Sequence, residues 1–179
     1  MIHFVYEWPR CRVPPSFEPK RPVDWWPADS VQIGRLFAAE PARMRSLLEM
    51  QAQGYAGLLC EIDGRWAAYA WMKRPRSPGP THLTREMRRL PHYWITFCRS
   101  RPDLQGQGIY RAAIARLVGI ALAEDPAARV FIDTARSNVP SQHAIAAAGF
   151  APAGAVRTLC FLGVNRVVWG SWRVDSRQV

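Results

Sequence analysis

At 179 residues, with 49% hydrophobic and 21% charged residues, the chain has the size and composition of one globular domain with a proper core. It has no continuous apolar run of about 18 residues and no signal-peptide pattern at Met1, which argues against a helical membrane span and predicts a cytoplasmic protein. A net charge of +10 and a pI near 10.3 are those of a basic protein and imply an anionic partner.

Ile2–Glu7 alternates as a strand does. The prolines from Pro9 to Pro27 are then expected to exclude regular structure up to about Ala28, with Trp25-Trp26 anchoring segment 1–29 onto the domain. Ser30 reads as the cap of a helix over 31–38, and 41–53 as an amphipathic helix stopped by Gly54. Residues 55–62 and 65–72, joined by Asp63-Gly64, form a hairpin. Lys73, Arg74, Arg76, Arg85, Arg88 and Arg89 fall in the proline-containing segment 73–91, which reads as a long basic loop over one edge of the fold. Two readings of that loop stand: a surface for an anionic partner, or a solvated connection.

The next stretch is the most informative. His92 opens the aromatic and β-branched run of a strand over 93–100, and Pro102 closes it. Gln105, Gly106, Gln107, Gly108, Ile109, Tyr110 and Arg111 follow, and apolar residues then recur at helical spacing to about Ala123, before Glu124-Asp125-Pro126. Residues 130–134 read as a second buried strand, which completes a right-handed βαβ unit. Two glycines at a strand-to-helix junction leave backbone N–H groups free to converge on one anion, and the helix dipole reinforces them. Ile109-Tyr110 cannot serve as the Lys-Ser/Thr pair of a P-loop. Arg111 stands where a dinucleotide fingerprint needs its third glycine, although Asp133 lies roughly where that fingerprint places an acidic residue. The third option is the pyrophosphate loop of an acyl-CoA enzyme, Gln/Arg-x-x-Gly-x-Gly/Ala. Gln105, Gly108 and Tyr110 fall on its positions, with Tyr110 departing from the small final residue.

Beyond the second strand, Asn138 or Val139 precedes Pro140 as the cap of a short alanine-rich helix, and Gly149 terminates it before Phe150. Strands over 156–162 and 166–174, with a turn at Gly163 and Asn165, end the pattern. The Asn138-x-x-Ser141 helix ending in Gly149-Phe150, placed after the glycine loop, resembles the GNAT superfamily of acetyl-CoA-dependent N-acyltransferases. The resemblance covers roughly residues 93–150. It implies a single-domain α/β fold over 1–179, with a mixed, mostly antiparallel central sheet, a splayed parallel strand pair and flanking helices.

The resemblance also implies residue roles. Backbone amides from Gln105 through Arg111 would bind the pyrophosphate of acetyl-CoA or another acyl-CoA as co-substrate. N–H groups near Phe97, Cys98, Arg99 and Ser100 would face the thioester carbonyl, and Asn138 and Ser141 would touch the CoA arm. Asn138 reads equally as a plain helix cap. Many relatives carry a tyrosine, as general acid, four residues before the glycine of Gly-Phe, and here that position is Ile145. Ser141 and Tyr110 are the substitutes by proximity, and a CoA thiol, titrating near ~8.5, can also leave unaided. The general base is open among Glu61, His92 and Asp133. Against these roles stand a hairpin-end charge for Glu61, an exposed loop position for His92 and an ion pair with an arginine for Asp133. Arg101, Arg111 and Arg136 would add positive charge near the cofactor.

Cys11, Cys60, Cys98 and Cys160 are widely spaced and read as reduced, buried thiols, Cys98 as a small core residue before a nucleophile, with no metal expected. The expected activity is transfer of an acetyl or short acyl group to a primary amine by direct attack. The acceptor is open among small-molecule amines, antibiotics, protein amines and aminoacyl-tRNA, and self-association as a homodimer is left open. The alternatives are a noncatalytic GNAT-like module that binds nucleic acid through the basic loop, and a dinucleotide-binding oxidoreductase, which Arg111 disfavours.

Overall fold

The computed structural model describes residues 1–9, 13, 16–161 and 164–172. Cys11, Leu162 and Gly163 lie outside them, as do residues 173–174 of the last expected strand, while Asn165, expected in the turn with Gly163, falls within the strand Val164–Trp172.

The described elements are β1 (Ile2–Glu7), β2 (Asp24–Pro27), α1 (Ser30–Phe37), α2 (Pro41–Ala52), β3 (Ala56–Ile62), β4 (Arg65–Lys73), α3 (Arg85–Arg89), β5 (Tyr93–Ser100), α4 (Ile109–Glu124), β6 (Val130–Ala135), α5 (Val139–Ala147), β7 (Ala151–Phe161) and β8 (Val164–Trp172). One sheet of eight strands runs β2-β3-β4-β5-β6-β1-β7-β8. Its single parallel contact joins β5 to β6, as the βαβ reading requires.

Side-chain alternation in β4 shows how the sheet is covered. Ala70 and Met72 belong to the core built with Ile114, Leu117 and Val118 of α4, whereas Tyr69 and Trp71 belong to the core built with Ile33, Phe37 and Leu47 of α1 and α2. Residues one apart in a strand point to opposite faces, so α4 covers one face and α1 with α2 the other. With helices on both sides, β4 is buried from Trp66 to Lys73 and shows no polar alternation.

Four local expectations need correction. The stretch from Pro9 to Ala28, expected to be irregular, contains a strand: Asp24–Pro27 pairs antiparallel with Leu58–Glu61 at the sheet edge, where a proline takes no hydrogen bond from an inner ladder. The cap of α1 is Asp29, whose Oδ1 accepts from the Gln32 N–H at 2.8 Å, and Ser30 is the first helical residue. Segment 73–91 is not one loop. Lys73 closes β4, Thr84 caps α3 by accepting from the Met87 N–H, and Leu83 and Met87 are buried against Trp94, Phe131 and Val156. The last hairpin is longer than expected, with β7 starting directly after Phe150.

The placement of the site follows from the end of the parallel pairing. β5 and β6 are in register only over Tyr93↔Val130, Trp94↔Phe131 and Ile95↔Ile132. Beyond Ile95, β5 stays with β4 through a register shift between Tyr69 and Trp71, and Phe97 takes the left-handed φ of 51°. β6 instead follows β1, pairing Asp133 with Val5 and Thr134 with Phe4. A gap opens between the two strands below the loop that leads into α4.

Candidate active site

The glycine loop fills one end of that gap. Gly106 and Gly108 hold φ of 75° and 80°, which favours glycine at both positions. Leu104 and Ile109 are buried on either side and pin the loop to the core. The first helical bond of α4 runs from the Ala112 N–H to the Gly108 carbonyl at 3.0 Å, so the amides before it point out of the helix end. On the far side, the Lys20 N–H donates to the Gln107 carbonyl at 2.9 Å, Pro19 lies over Gly108, and the Arg111 guanidinium stacks on Phe17 at 4.2 Å.

Two adjoining cavities follow the gap. The larger, about 760 Å³, is walled by Lys20, Arg99, Ser100, residues 105–111 and one side of α5. The smaller, about 240 Å³, reaches toward β1 and is walled by His3, Phe97 and Asp133. Cys98, Tyr110, Asn138 and Ser141 border both. Among the described residues, Ser100 Oγ and Arg111 Nε are buried in the larger cleft without a hydrogen-bond partner. Orphaned buried donors in a positively lined cleft fit an oxygen-rich anionic guest.

The residues singled out by sequence divide into two groups. Tyr110 and Ser141 come together, with Oη and Oγ 3.0 Å apart, and burial pushes the Tyr110 phenol well above its ordinary value. Ile145 is fully buried in the core under α4. Asn138 caps α5, its Oδ1 accepting from the Ser141 N–H at 3.3 Å, and still borders the cleft. Phe97 is half-exposed in the cleft wall. Cys98 donates to the Thr96 carbonyl, and burial pushes its thiol up to about 12, so it is neutral and a poor nucleophile. Cys60, in the core, is likewise pushed up to about 12 by burial. The Cys160 side chain lies outside the described residues.

Glu61 is elsewhere. It forms a forked pair with Arg35 at 2.9 and 2.5 Å, and those hydrogen bonds hold its carboxyl below the usual value. The His92 ring rests against Phe131. Arg101 is spent on Asp103 at 2.6 Å, and Arg136 is exposed. Lys73 is buried and donates to the Leu90 and His92 carbonyls at 3.3 and 3.1 Å, and burial lowers its pKa. Arg74 pairs with Glu124 at 2.6 Å. Two of the six cations of segment 73–91, for which an anion-binding and a solvated reading both stood, therefore hold the fold together.

Asp133 has histidine and tryptophan partners, not an arginine. His3 Nδ1 and His82 Nε2 reach its Oδ2 at 2.9 and 2.8 Å, and Trp94 Nε1 reaches Oδ1 at 2.7 Å. Burial alone would raise this carboxyl, but the His3 and His82 donors outweigh it and hold the group well below the usual carboxylate range. Both imidazoles aim at one oxygen at hydrogen-bond distance, which is a proton-sharing array. Sequence reasoning missed His3 and His82 because they lie 130 and 51 residues from Asp133, and only the β1–β6 pairing and the folded 74–92 connection bring them in.

The fold recurs in solved structures. One is an acetyltransferase of the GNAT family from Colwellia psychrerythraea, 16% identical, with 84% of this chain and 52% of that chain covered and a TM-score of 0.60. A GCN5-related N-acetyltransferase from Sphaerobacter thermophilus is 16% identical over 86% of this chain and 49% of that one, with a TM-score of 0.58. The chain thus spans about half the length of these two neighbours. AAC(6')-Iy, solved in complex with the bisubstrate analog CoA-S-monomethyl-acetylneamine, is 16% identical over 73% of this chain and 92% of its own, with a TM-score of 0.54. A comparison with curated protein sequences finds no match. No helix among the described residues is long and apolar enough to cross a membrane. The family model for the acetyltransferase (GNAT) family matches residues 3–150, and the chain belongs to that family.

Proposed function

We propose that the chain transfers an acetyl or other short acyl group from CoA to a primary amine by direct attack of the amine on the thioester. The observation that carries this reading is the cleft at the end of the β5–β6 pairing, with the 106–111 loop at one end (the Gln105 N–H is spent on the Pro102 carbonyl at 3.3 Å) and the orphaned Ser100 and Arg111 groups within it.

In this reading the pyrophosphate lies on the amides at the head of α4, and Arg111 and Lys20 add positive charge to that end. The pantetheine arm runs between Cys98 on β5 and Asn138 with Ser141 at the start of α5, toward the smaller cavity. Backbone N–H groups of the 97–100 bulge face the thioester carbonyl and stabilise the oxyanion that forms on attack. Tyr110 and Ser141 are hydrogen-bonded to each other at 3.0 Å and border the cleft, where they can protonate the departing thiolate. The neutral Cys98 thiol supports transfer without a covalent enzyme intermediate. The bisubstrate analog held by AAC(6')-Iy, in which CoA is joined to an acetylneamine, supports the pairing of CoA and an acceptor on this fold.

Calorimetry with acetyl-CoA, followed by thiol release against a panel of small amines, antibiotics, protein amines and aminoacyl-tRNA, tests the reading. Binding of acetyl-CoA with amine-dependent thiol release is expected. A protein that does not bind acetyl-CoA would overturn it.

A further inference from the structure

The cofactor loop makes no use of the cluster around Asp133, which four elements assemble. Asp133 stands on β6 just past the last residue in register with β5. His3 comes from β1, Trp94 from β5 and His82 from the connection before α3. The two imidazoles stack with centroids 4.8 Å apart and 26° between their planes.

The hydrogen bonds dictate where the protons are. A carboxylate has none to give, so the N–H must sit on Nδ1 of His3 and on Nε2 of His82. In the neutral ring this leaves the lone pair on His3 Nε2. Its neighbour is Met1 Sδ at 3.2 Å, a thioether that can only accept, so this contact suits the Nε2–H that the ring gains on taking a proton. His3 and Asp133 both wall the smaller cavity, beside Phe97 and Cys98 where the thioester lies in the transferase reading. An imidazole with one nitrogen held by a buried carboxylate and the other beside a group that can only accept a hydrogen bond is the arrangement of a general base. The carboxylate orients the ring and stabilises the imidazolium once it forms.

We propose that His3 is the general base of the acyl transfer, with Asp133 and His82 as positioning residues. This rests on the transferase reading. The acceptor ammonium gives one proton to His3 Nε2, and its freed lone pair forms the C–N bond at the thioester carbonyl carbon while the π pair moves to oxygen. When the tetrahedral species collapses, the C–S bond breaks and its electron pair leaves with sulfur. The nitrogen loses its second proton to water as the amide forms, and the thiolate takes one from the Tyr110–Ser141 pair, which is refilled from solvent. The proton on partly exposed His3 passes to water. The sum is one amide, one thiol and one released proton. Asp133 keeps the carboxylate form throughout, and His82 supports the ring of His3 by stacking and by sharing Oδ2.

The His3→Gln variant of the full chain is expected to keep its acetyl-CoA affinity by calorimetry within about twofold, and to lose about 10²-fold or more in kcat for thiol release with an amine that the wild-type protein acetylates. His3→Ala should show the same loss and regain activity on addition of imidazole, which a purely structural role would not produce. Long-range ¹H–¹⁵N spectra of the free wild-type protein read the tautomers without an acceptor, with Nδ1–H expected on His3 and Nε2–H on His82. A neutral His3 carrying its proton on Nε2 overturns the assignment. So does a His3→Gln enzyme with wild-type kcat, which leaves the transferase reading standing. Failure of the wild-type protein to bind acetyl-CoA overturns that reading and the base with it.

Discussion

Tyr110 Oη and Ser141 Oγ stand 3.0 Å apart, joining the first turn of α4 to the first turn of α5 across the cleft. Ser141 is one helical turn before Ile145, the position where many relatives carry their acid, and Ile145 is buried in the core. A hydroxyl is thus supplied from the neighbouring helix to the end of α5 that borders the cavities.

If this pair delivers the proton to sulfur, Tyr110→Phe and Ser141→Ala should each lower kcat by about tenfold, at the low end for a general acid because a thiolate is a tolerable leaving group. Acetyl-CoA affinity should hold, and the double variant should lose little more than either single one, because the two act as a unit. Steady-state kinetics beside calorimetry check this. Additive losses would show that the hydroxyls act separately.

Gly108 combines a φ of 80° with Pro19 Cα 3.8 Å from where a Cβ would stand. Gly108→Ala should cost about 1 kcal/mol of stability from the left-handed backbone alone. Gly108→Asp adds a carboxylate facing the proposed pyrophosphate and should abolish acetyl-CoA binding in calorimetry. Unchanged affinity would displace the cofactor from this loop.

Glu61 is tied to Arg35 across β3 and α1, with the Arg35 hydrogen bonds holding its carboxyl below the unfolded value. A depressed carboxyl contributes stability that is fully present above the unfolded pKa of about 4.3 and is lost as pH falls through the lower folded value. Chemical denaturation from neutral pH down to pH ~3 should therefore show a decline that Glu61→Gln flattens. Thiol release at neutral pH should survive the substitution, because Glu61 lies outside both cavities.

Segment 73–91 should separate by burial. Lys73→Ala leaves the Leu90 and His92 carbonyls without their donor and should cost about 1–3 kcal/mol in a denaturant titration. Arg85 and Arg89 are exposed, and replacing both with glutamine should change stability by no more than about 0.5 kcal/mol each. If the acceptor is anionic, that second variant should lower kcat/KM for it and weaken the salt dependence. Full retention removes the basic surface from acceptor binding.

Much of the fold was legible along the chain because its signals are local. Apolar spacing marked α4, Asp63-Gly64 marked the β3–β4 hairpin, and Pro140 with Gly149 bracketed α5. Pairing is not local. Nothing within residues 1–29 marks Asp24–Pro27 as a strand, because that segment is extended only by bonding to β3, and an edge position is what tolerates Pro27. Lys73 looked like a solvated cation by composition and became a buried donor because the end of β4 lies under the carbonyls of Leu90 and His92.

The same division runs through the site. The sequence alone determined the loop 105–111, its glycines and the helix behind it, since an anion nest is made by consecutive backbone groups. It also determined that Ile145 could not supply the acid. Only the tertiary structure decided which side chains meet in the gap. It set Tyr110 against Ser141, removed Glu61 to Arg35, and gathered His3, His82 and Trp94 around Asp133. The physical reason is the end of the β5–β6 register at Ile95 and the turn of β6 toward β1, a long-range pairing that brings residue 3 beside residue 133 and leaves no trace in local spacing.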